Sequence, residues 1–454
     1  MINRNYFIFF LLLISCSANA QTINLEFPFF EGQTYFFKIF QGEKQITLKE
    51  DTIPKGGKVQ LVIPNEYQGY KGMAQWYLTK SKTGGGLDLI INNENFSVTC
   101  LDSVPTSTSI VYSGSTEYTF DKMSYKLQNE LFEKHDALIA AVRAYPKTDK
   151  LYPVLDKEYK KIVKAYAVYS KKLAESPLYA SRFRQIVNLT LGIGTIITED
   201  ETSKANNIND YITNKLDFAA LYTSNHWGGV INSWVQLHTM VLKDDIKLFD
   251  NTRTILNRLP TDKIYTDFVA NFTKEINKVG KDYILDSLTQ EIKNSKRLLR
   301  YDGVLNLYQQ DLSGKAPDLT IVTYNGKKEE ANKKTTLIKT TELNSKYTLL
   351  VFYKSGCGPC EETMQGLMDN YKEIANKGFR IITIAADTDE QIFKNTSISY
   401  PWTDKYCDFE GAKGVNFKNY AVIGTPTMYI INKIGNIESK LATLNDVLAF
   451  VKQH

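Results

Sequence analysis

Four residues, Cys357-Gly358-Pro359-Cys360, stand between two apolar patterns of different period. Before them, Tyr347–Tyr353 is apolar at nearly every position, the pattern of a strand covered on both faces. After them, Met364, Leu367, Met368, Tyr371, Ile374 and Ala375 recur at helical spacing on one face. Phe379–Ala385 reads as a second strand. Thr427–Ile431 and Ile437–Leu441 flank the turn Asn432-Lys433-Ile434-Gly435-Asn436 as a hairpin, and Leu444–Val451 reads as a closing helix. A βαβ unit followed by a hairpin and a helix is a compact α/β domain. The cysteine pair stands at its first strand-to-helix junction.

That position gives the pair its chemistry. A helix mouth stabilises a thiolate through free backbone N–H groups and the positive end of the helix dipole. Three-residue spacing puts both sulfurs on one side of the first turn, within disulfide reach. Cys357 is expected at the exposed helix mouth and Cys360 one turn in, more buried. Pro359 suits the first turn, where a missing N–H costs nothing, and Gly358 leaves the approach to Cys357 open. The implied reaction is thiol–disulfide exchange: Cys357 attacks a substrate disulfide, and Cys360 then attacks Cys357 Sγ and releases the reduced substrate. Three other readings compete. A structural zinc site normally needs two further ligands, and Cys407 has no histidine nearby. An inert structural disulfide between the two cysteines is a second alternative. A peroxidatic cysteine usually stands alone rather than in a close pair.

Gly424-Thr425-Pro426-Thr427 immediately precedes the strand at Met428–Ile431, and a proline at a strand start is compatible with a cis bond. With this element on the page, Phe352–Cys360, Gly424–Thr427 and Asn432–Asn436 resemble the thioredoxin superfamily. The lead-in Gly314-Lys315-Ala316-Pro317-Asp318-Leu319 resembles the opening of TlpA/ResA-like extracytoplasmic oxidoreductases. The resemblance implies a thioredoxin fold in which Pro426 is cis and faces the Cys357–Cys360 pair. It also implies that the Thr425 backbone pairs with an extended substrate segment. The sequence departs from the family where Trp usually precedes the first cysteine (Gly356), where thioredoxins bury an Asp (Val351), and where TlpA/ResA-like members often carry Glu (Thr363). Glu361 and Glu362 should point elsewhere on the helix, so water or an unidentified carboxylate takes the Cys360 proton. A binding protein with a residual thioredoxin module is the non-enzymatic alternative.

The 454 residues suggest about three domains. Residues 21–120 read as β: Thr34–Phe40, Lys58–Ile63, Ala74–Leu78, Leu87–Ile91 and Phe96–Leu101 are separated by turns such as Lys55-Gly56-Gly57 and Thr83-Gly84-Gly85-Gly86. They predict a small antiparallel sandwich or barrel. Ser113-Gly114-Ser115-Thr116-Glu117 closes that region, and Gln21–Phe120 weakly resembles the β-domain that precedes such modules in some envelope proteins. Residues 121–310 are helical in period, as at Ile162, Ala165, Tyr169 and Leu173, with boundaries at Pro146, Pro153, Pro177 and Pro260. His226 and His238 lack ligand-like neighbours and read as packing or as a polar surface cluster. Residues 311–454 form the thioredoxin-like domain, entered through a linker near Asp311–Pro317. The predicted fold class is therefore multidomain: an N-terminal antiparallel β sandwich or barrel, an α-helical middle, and a C-terminal α/β thioredoxin fold.

Residues 1–20 read as a secretory signal peptide, with Arg4, the apolar run Tyr6–Ile14 and the small residues Ala18-Asn19-Ala20 before Gln21. Leu13-Ile14-Ser15-Cys16 also resembles a lipobox, so membrane contact is expected only if Cys16 is lipidated. Either route predicts export to the periplasm or cell envelope. Lys+Arg 55 against Asp+Glu 50 leaves a net charge of +5, with no clustered basic run, which argues against a nucleic-acid partner. Five cysteines are too few for a disulfide scaffold; Cys100 reads as a packed thiol, Cys407, in an expected loop before Asp408, as a packed or idle thiol or else a third redox thiol, and Asp387 and Asp389 as helix caps. The expected partners are protein thiols and disulfides and an unidentified upstream electron donor. No cofactor or metal is implied.

Overall fold

The computed structural model describes residues 21–79, 85–308, 314–325, 332–422, 424–441 and 443–454. The expected export signal, residues 1–20 with Cys16, lies outside the described residues, as do Thr83-Gly84 of the expected turn and Asp311–Ser313 of the expected linker.

Eight strands come first among the described residues: β1 (Thr22–Glu26), β2 (Thr34–Gln41), β3 (Lys44–Thr52), β4 (Lys58–Val62), β5 (Gly72–Leu78), β6 (Gly86–Ile91), β7 (Phe96–Cys100) and β8 (Ile110–Ser113). They form two four-stranded sheets, ordered β4-β1-β7-β8 and β3-β2-β5-β6. Alternation along each strand sends one face inward. Ile23, Leu25, Phe37, Ile39, Ala74, Leu89 and Val98 from both sheets share one buried core, and Cys100 is packed in it. Two corrections follow. Strand β1 runs parallel to β7, with Ile23 opposite Phe96, so the first sheet is mixed rather than antiparallel. The parallel pair arises because strands of the other sheet intervene in sequence, and such a pair needs a long crossover. Neither sheet closes into a barrel among the described residues.

Nine helices follow among the described residues: α1 (Thr116–Ala144), α2 (Tyr152–Glu175), α3 (Tyr179–Thr190), α4 (Glu201–Asn214), α5 (Phe218–Tyr222), α6 (Trp227–Gln236), α7 (Asp245–Arg258), α8 (Asp262–Lys278) and α9 (Asp282–Ser295). Ser115 caps α1 by accepting from Tyr118 N. Pro153 sits in the first turn of α2, and Pro146, Pro177 and Pro260 fall between helices. His238 is fully buried, with Nε2 2.7 Å from Asn209 Oδ1. Among the described residues no helix is long and apolar enough to cross a membrane.

The chain divides into two compact units. One runs to Asp200 and includes Asp217–Trp227; the other comprises Glu201–Leu216 and Gly228–His454. Helices α7 to α9 thus share a unit with the cysteine pair. Thr261 caps α8, which buries Ile264, Phe268, Phe272 and Ile276 along one face. Its Thr273 hydroxyl bonds the buried Tyr308 hydroxyl at 2.7 Å.

The C-terminal part contains β9 (Leu319–Asn325), β10 (Asn332–Ile338), β11 (Tyr347–Tyr353), α10 (Gly358–Asp369), α11 (Tyr371–Asn376), β12 (Phe379–Ala385), α12 (Glu390–Ser397), β13 (Asp404–Cys407), α13 (Val415–Asn419), β14 (Thr427–Asn432), β15 (Ile437–Leu441) and α14 (Leu444–Gln453). Five strands make one sheet, ordered β13-β12-β11-β14-β15. Strand β12 is parallel to β11 and β14 antiparallel. Both faces of β11 are covered. Leu349, Val351 and Tyr353 enter one apolar layer with Met364, Leu367 and Val447. Leu350 and Phe352 enter the other with Phe417, Tyr420 and Tyr429. That double burial is why the strand is apolar throughout. The single expected helix over 364–375 is broken at Asn370, whose side chain bonds Gly366 O at 2.7 Å. Nor is the chain from Lys315 a free linker: Ala316 is buried and donates to Gly435 O at 2.8 Å.

Candidate active site

Strand β11 ends at Tyr353, and a short loop, Lys354-Ser355-Gly356, delivers Cys357 to the N-cap of α10. Gly356 takes φ +75°. That left-handed turn disfavours a side chain, which accounts for glycine where the family usually has Trp. Helix α10 opens with Glu361 N donating to Cys357 O at 2.9 Å, and Pro359 lies in its first turn, as expected. Cys357 is partly exposed, whereas Cys360 is buried. Both are free thiols, with the Cys360 thiol directed at Cys357 Sγ across 2.7 Å. Burial, and then the neighbouring Cys357 thiol, push the Cys360 thiol up to about 11.

Strand β14 lies beside β11, with Phe352 opposite Thr427, and so brings the preceding loop against the helix mouth. Cys357 Sγ is 3.7 Å from Thr425 O, and the Thr425–Pro426 peptide is cis. The four residues Cys357, Cys360, Thr425 and Pro426 therefore meet at one end of the sheet, where β11 leaves it and β14 enters. Gly358 and Pro359 link the two cysteines in the first turn of the helix.

The residues at the family's departures have other work. Val351 is fully buried in the apolar layer. Thr363 is buried and its hydroxyl donates to Pro359 O at 2.9 Å. Glu361 and Glu362 are exposed on the helix surface. Asp389 caps α12, accepting from Gln391 N and Ile392 N, as expected. Asp387 does not cap a helix. It is buried and accepts from Ser355 N at 3.0 Å and Ser355 Oγ at 2.6 Å. The pairing that could have revealed this is parallel. Tyr353 faces Ala385, so the residues two further along each strand, Ser355 and Asp387, leave the sheet side by side. Cys407 ends β13 rather than lying in a loop, and its thiol donates to Asp387 O at 3.3 Å. Burial pushes it up to about 12.

Residues 312–440 match the AhpC/TSA family. A thiol-disulfide oxidoreductase ResA of Bacillus cereus is 27% identical over 133 residues, covering 29% of this chain and 70% of that protein. Over these residues the chain is similar to TlpA/ResA-like proteins of the thioredoxin superfamily. Two solved structures are also similar. A thiol-disulfide oxidoreductase from Bacteroides fragilis NCTC 9343 is 23% identical, covers 31% of this chain and 98% of its own, and gives a TM-score of 0.25. A thioredoxin-like protein from Bacteroides caccae ATCC 43185 is 20% identical, covers 57% and 96%, and gives a TM-score of 0.34. This C-terminal domain carries the paired cysteines at the first turn of α10, the position at which a dithiol can exchange with a disulfide. Among the described residues no group of three or more His, Cys, Asp or Glu side chains could hold a metal ion.

Proposed function

We propose that this chain is an exported thiol-disulfide oxidoreductase that exchanges disulfides with protein substrates, in the reducing or isomerising direction. The observation that carries the reading is the pair itself: two free thiols 2.7 Å apart, the outer one at a helix mouth and 3.7 Å from Thr425 O. The Cys357 thiolate attacks one sulfur of a substrate disulfide. The other sulfur leaves as a thiolate, and a mixed disulfide remains. Cys360 gives its proton to water and attacks Cys357 Sγ, releasing the second substrate thiolate. The pair is then oxidised by two electrons, and an upstream dithiol donor returns it to the thiol form. Thr425 offers its backbone to an extended substrate segment beside Pro426.

Gly358-Pro359 is the dipeptide of thioredoxin, whose potential is about −270 mV, and this favours the reducing direction. The deciding experiment is the potential of the Cys357–Cys360 couple, together with trapping of mixed disulfides in Cys360→Ser. A value near that of DsbA, about −120 mV, would reverse the direction. Insulin reduction should vanish in Cys357→Ser. Hydrogen peroxide turnover without added dithiol would instead favour a peroxidase, and full cellular function in Cys357→Ser would favour a binding protein. Residues 1–20 support export to the periplasm or envelope. Lipid labelling that Cys16→Ser abolishes would mark the anchored form.

A further inference from the structure

Beside the cysteine pair lies a cleft of about 450 Å³. Pro359, Thr425 and Pro426 bound it from the thioredoxin side, and Asn277, Lys278 and Gly280, from the end of α8 and the turn into α9, bound it from the other. We propose that this turn is the second wall of the substrate site, and that it favours cysteines carried on extended polypeptide segments over those held on folded surfaces. The inference rests on the exchange reaction proposed above and names its substrate class.

The wall stands close. A Cβ built on Gly424 would lie 2.4 Å from Asn277 Oδ1, so the Asn277 side chain reaches the loop that carries Thr425 and would have to shift to admit a side chain at 424. The wall is also held. Helix α8 is anchored by its buried apolar face. The buried Glu275 of α8 accepts from Asn232 of α6 and pairs with Lys278 at 2.7 Å. Arg300 ties α8 through Asp267, also at 2.7 Å.

Those two features decide what can enter. A cysteine must reach Cys357 while its backbone runs past Thr425. With Asn277 against Gly424, the convex surface of a folded protein meets the helical turn first. An extended segment has no such bulk. The cleft volume is in the range of about 300–1,000 Å³ that holds drug-sized ligands, comparable with a few residues of chain. Asn277, Thr425 and Asn445 place polar groups along its lining, which suit the unpaired N–H and C=O groups of an extended backbone.

The test uses the full chain and three probes: an unstructured peptide disulfide, a folded protein with one surface disulfide, and a small aryl disulfide that needs only Cys357. The wild type should reduce the peptide far faster than the folded protein. In Asn277→Ala/Lys278→Ala, the ratio of peptide to aryl-disulfide kcat/KM should fall about three- to tenfold, the worth of one or two hydrogen bonds. Lys278→Trp, which fills the cleft from an exposed position, should lower the same ratio. Because each ratio is internal to one preparation, partial misfolding does not mimic it. Ratios unchanged in both variants, or a wild type indifferent between peptide and folded protein, would overturn the wall. A wild type that reduces none of the three probes would instead overturn the exchange reaction itself.

Discussion

The Asp387 carboxylate accepts both the backbone N–H of Ser355, at 3.0 Å, and its hydroxyl, at 2.6 Å. One buried side chain therefore ties the loop before Cys357 to the end of β12. Asp387→Ala leaves both donors without that acceptor, which costs about 1–3 kcal/mol. Asp387→Asn keeps one acceptor and should lose less. The check is the urea midpoint of the reduced protein; an Ala variant as stable as wild type would show that the tie contributes nothing.

Gly356 is a backbone requirement, not a spatial one. Its φ is +75°, and an added Cβ would meet nothing within 4 Å. Replacement should therefore cost about 1–2 kcal/mol, the penalty of a left-handed L-residue, whatever the side chain. Gly356→Ala and Gly356→Trp should lose similar stability, although Trp is the usual family residue. Denaturation of both variants decides it, and a Trp variant matching wild type would refute the backbone account.

What the chain discloses depends on how each element is buried. Strands β11 and β12 are covered on both faces, so their apolar runs are visible before any fold is known. Strand β3, Lys44–Thr52, is charged and largely exposed at a sheet edge, and its only strand signal is the pair Ile46 and Leu48 on one face. The parallel pairing of β1 with β7 joins strands far apart in sequence, so local pattern does not carry it. The same contrast holds at the site. Cys357 and Cys360 announce themselves by spacing alone. The contact of Asp387 with Ser355 follows only from strand register. Asn277 lies far upstream of Gly424, and only tertiary packing brings them together.

Cysteine reactivity should follow exposure. Cys357 is partly exposed, while Cys100, Cys360 and Cys407 are buried. Brief alkylation of the native reduced protein at neutral pH should label Cys357 first, and mass spectrometry reads the order. Cys407→Ala should leave insulin reduction unchanged, because its thiol contacts Asp387 O and neither sulfur of the pair. Labelling of Cys407 as fast as Cys357 would make it a third redox thiol.

Cys360 gives the reduced protein a stability that depends on alkaline pH. Its thiol is raised from 9.0 to about 11, chiefly by burial. Between those values the unfolded chain releases this proton while the folded chain keeps it. The folded state then binds more protons, so stability falls as pH rises. The contribution is complete below pH 9 and lost on the way to about 11. Urea midpoints of the reduced wild type should decline across that window more steeply than those of Cys360→Ser, whose hydroxyl does not titrate there. Other alkaline groups are common to both proteins and cancel in the comparison. Parallel profiles for the two would mean that Cys360 ionises as easily in the folded chain as in the unfolded one.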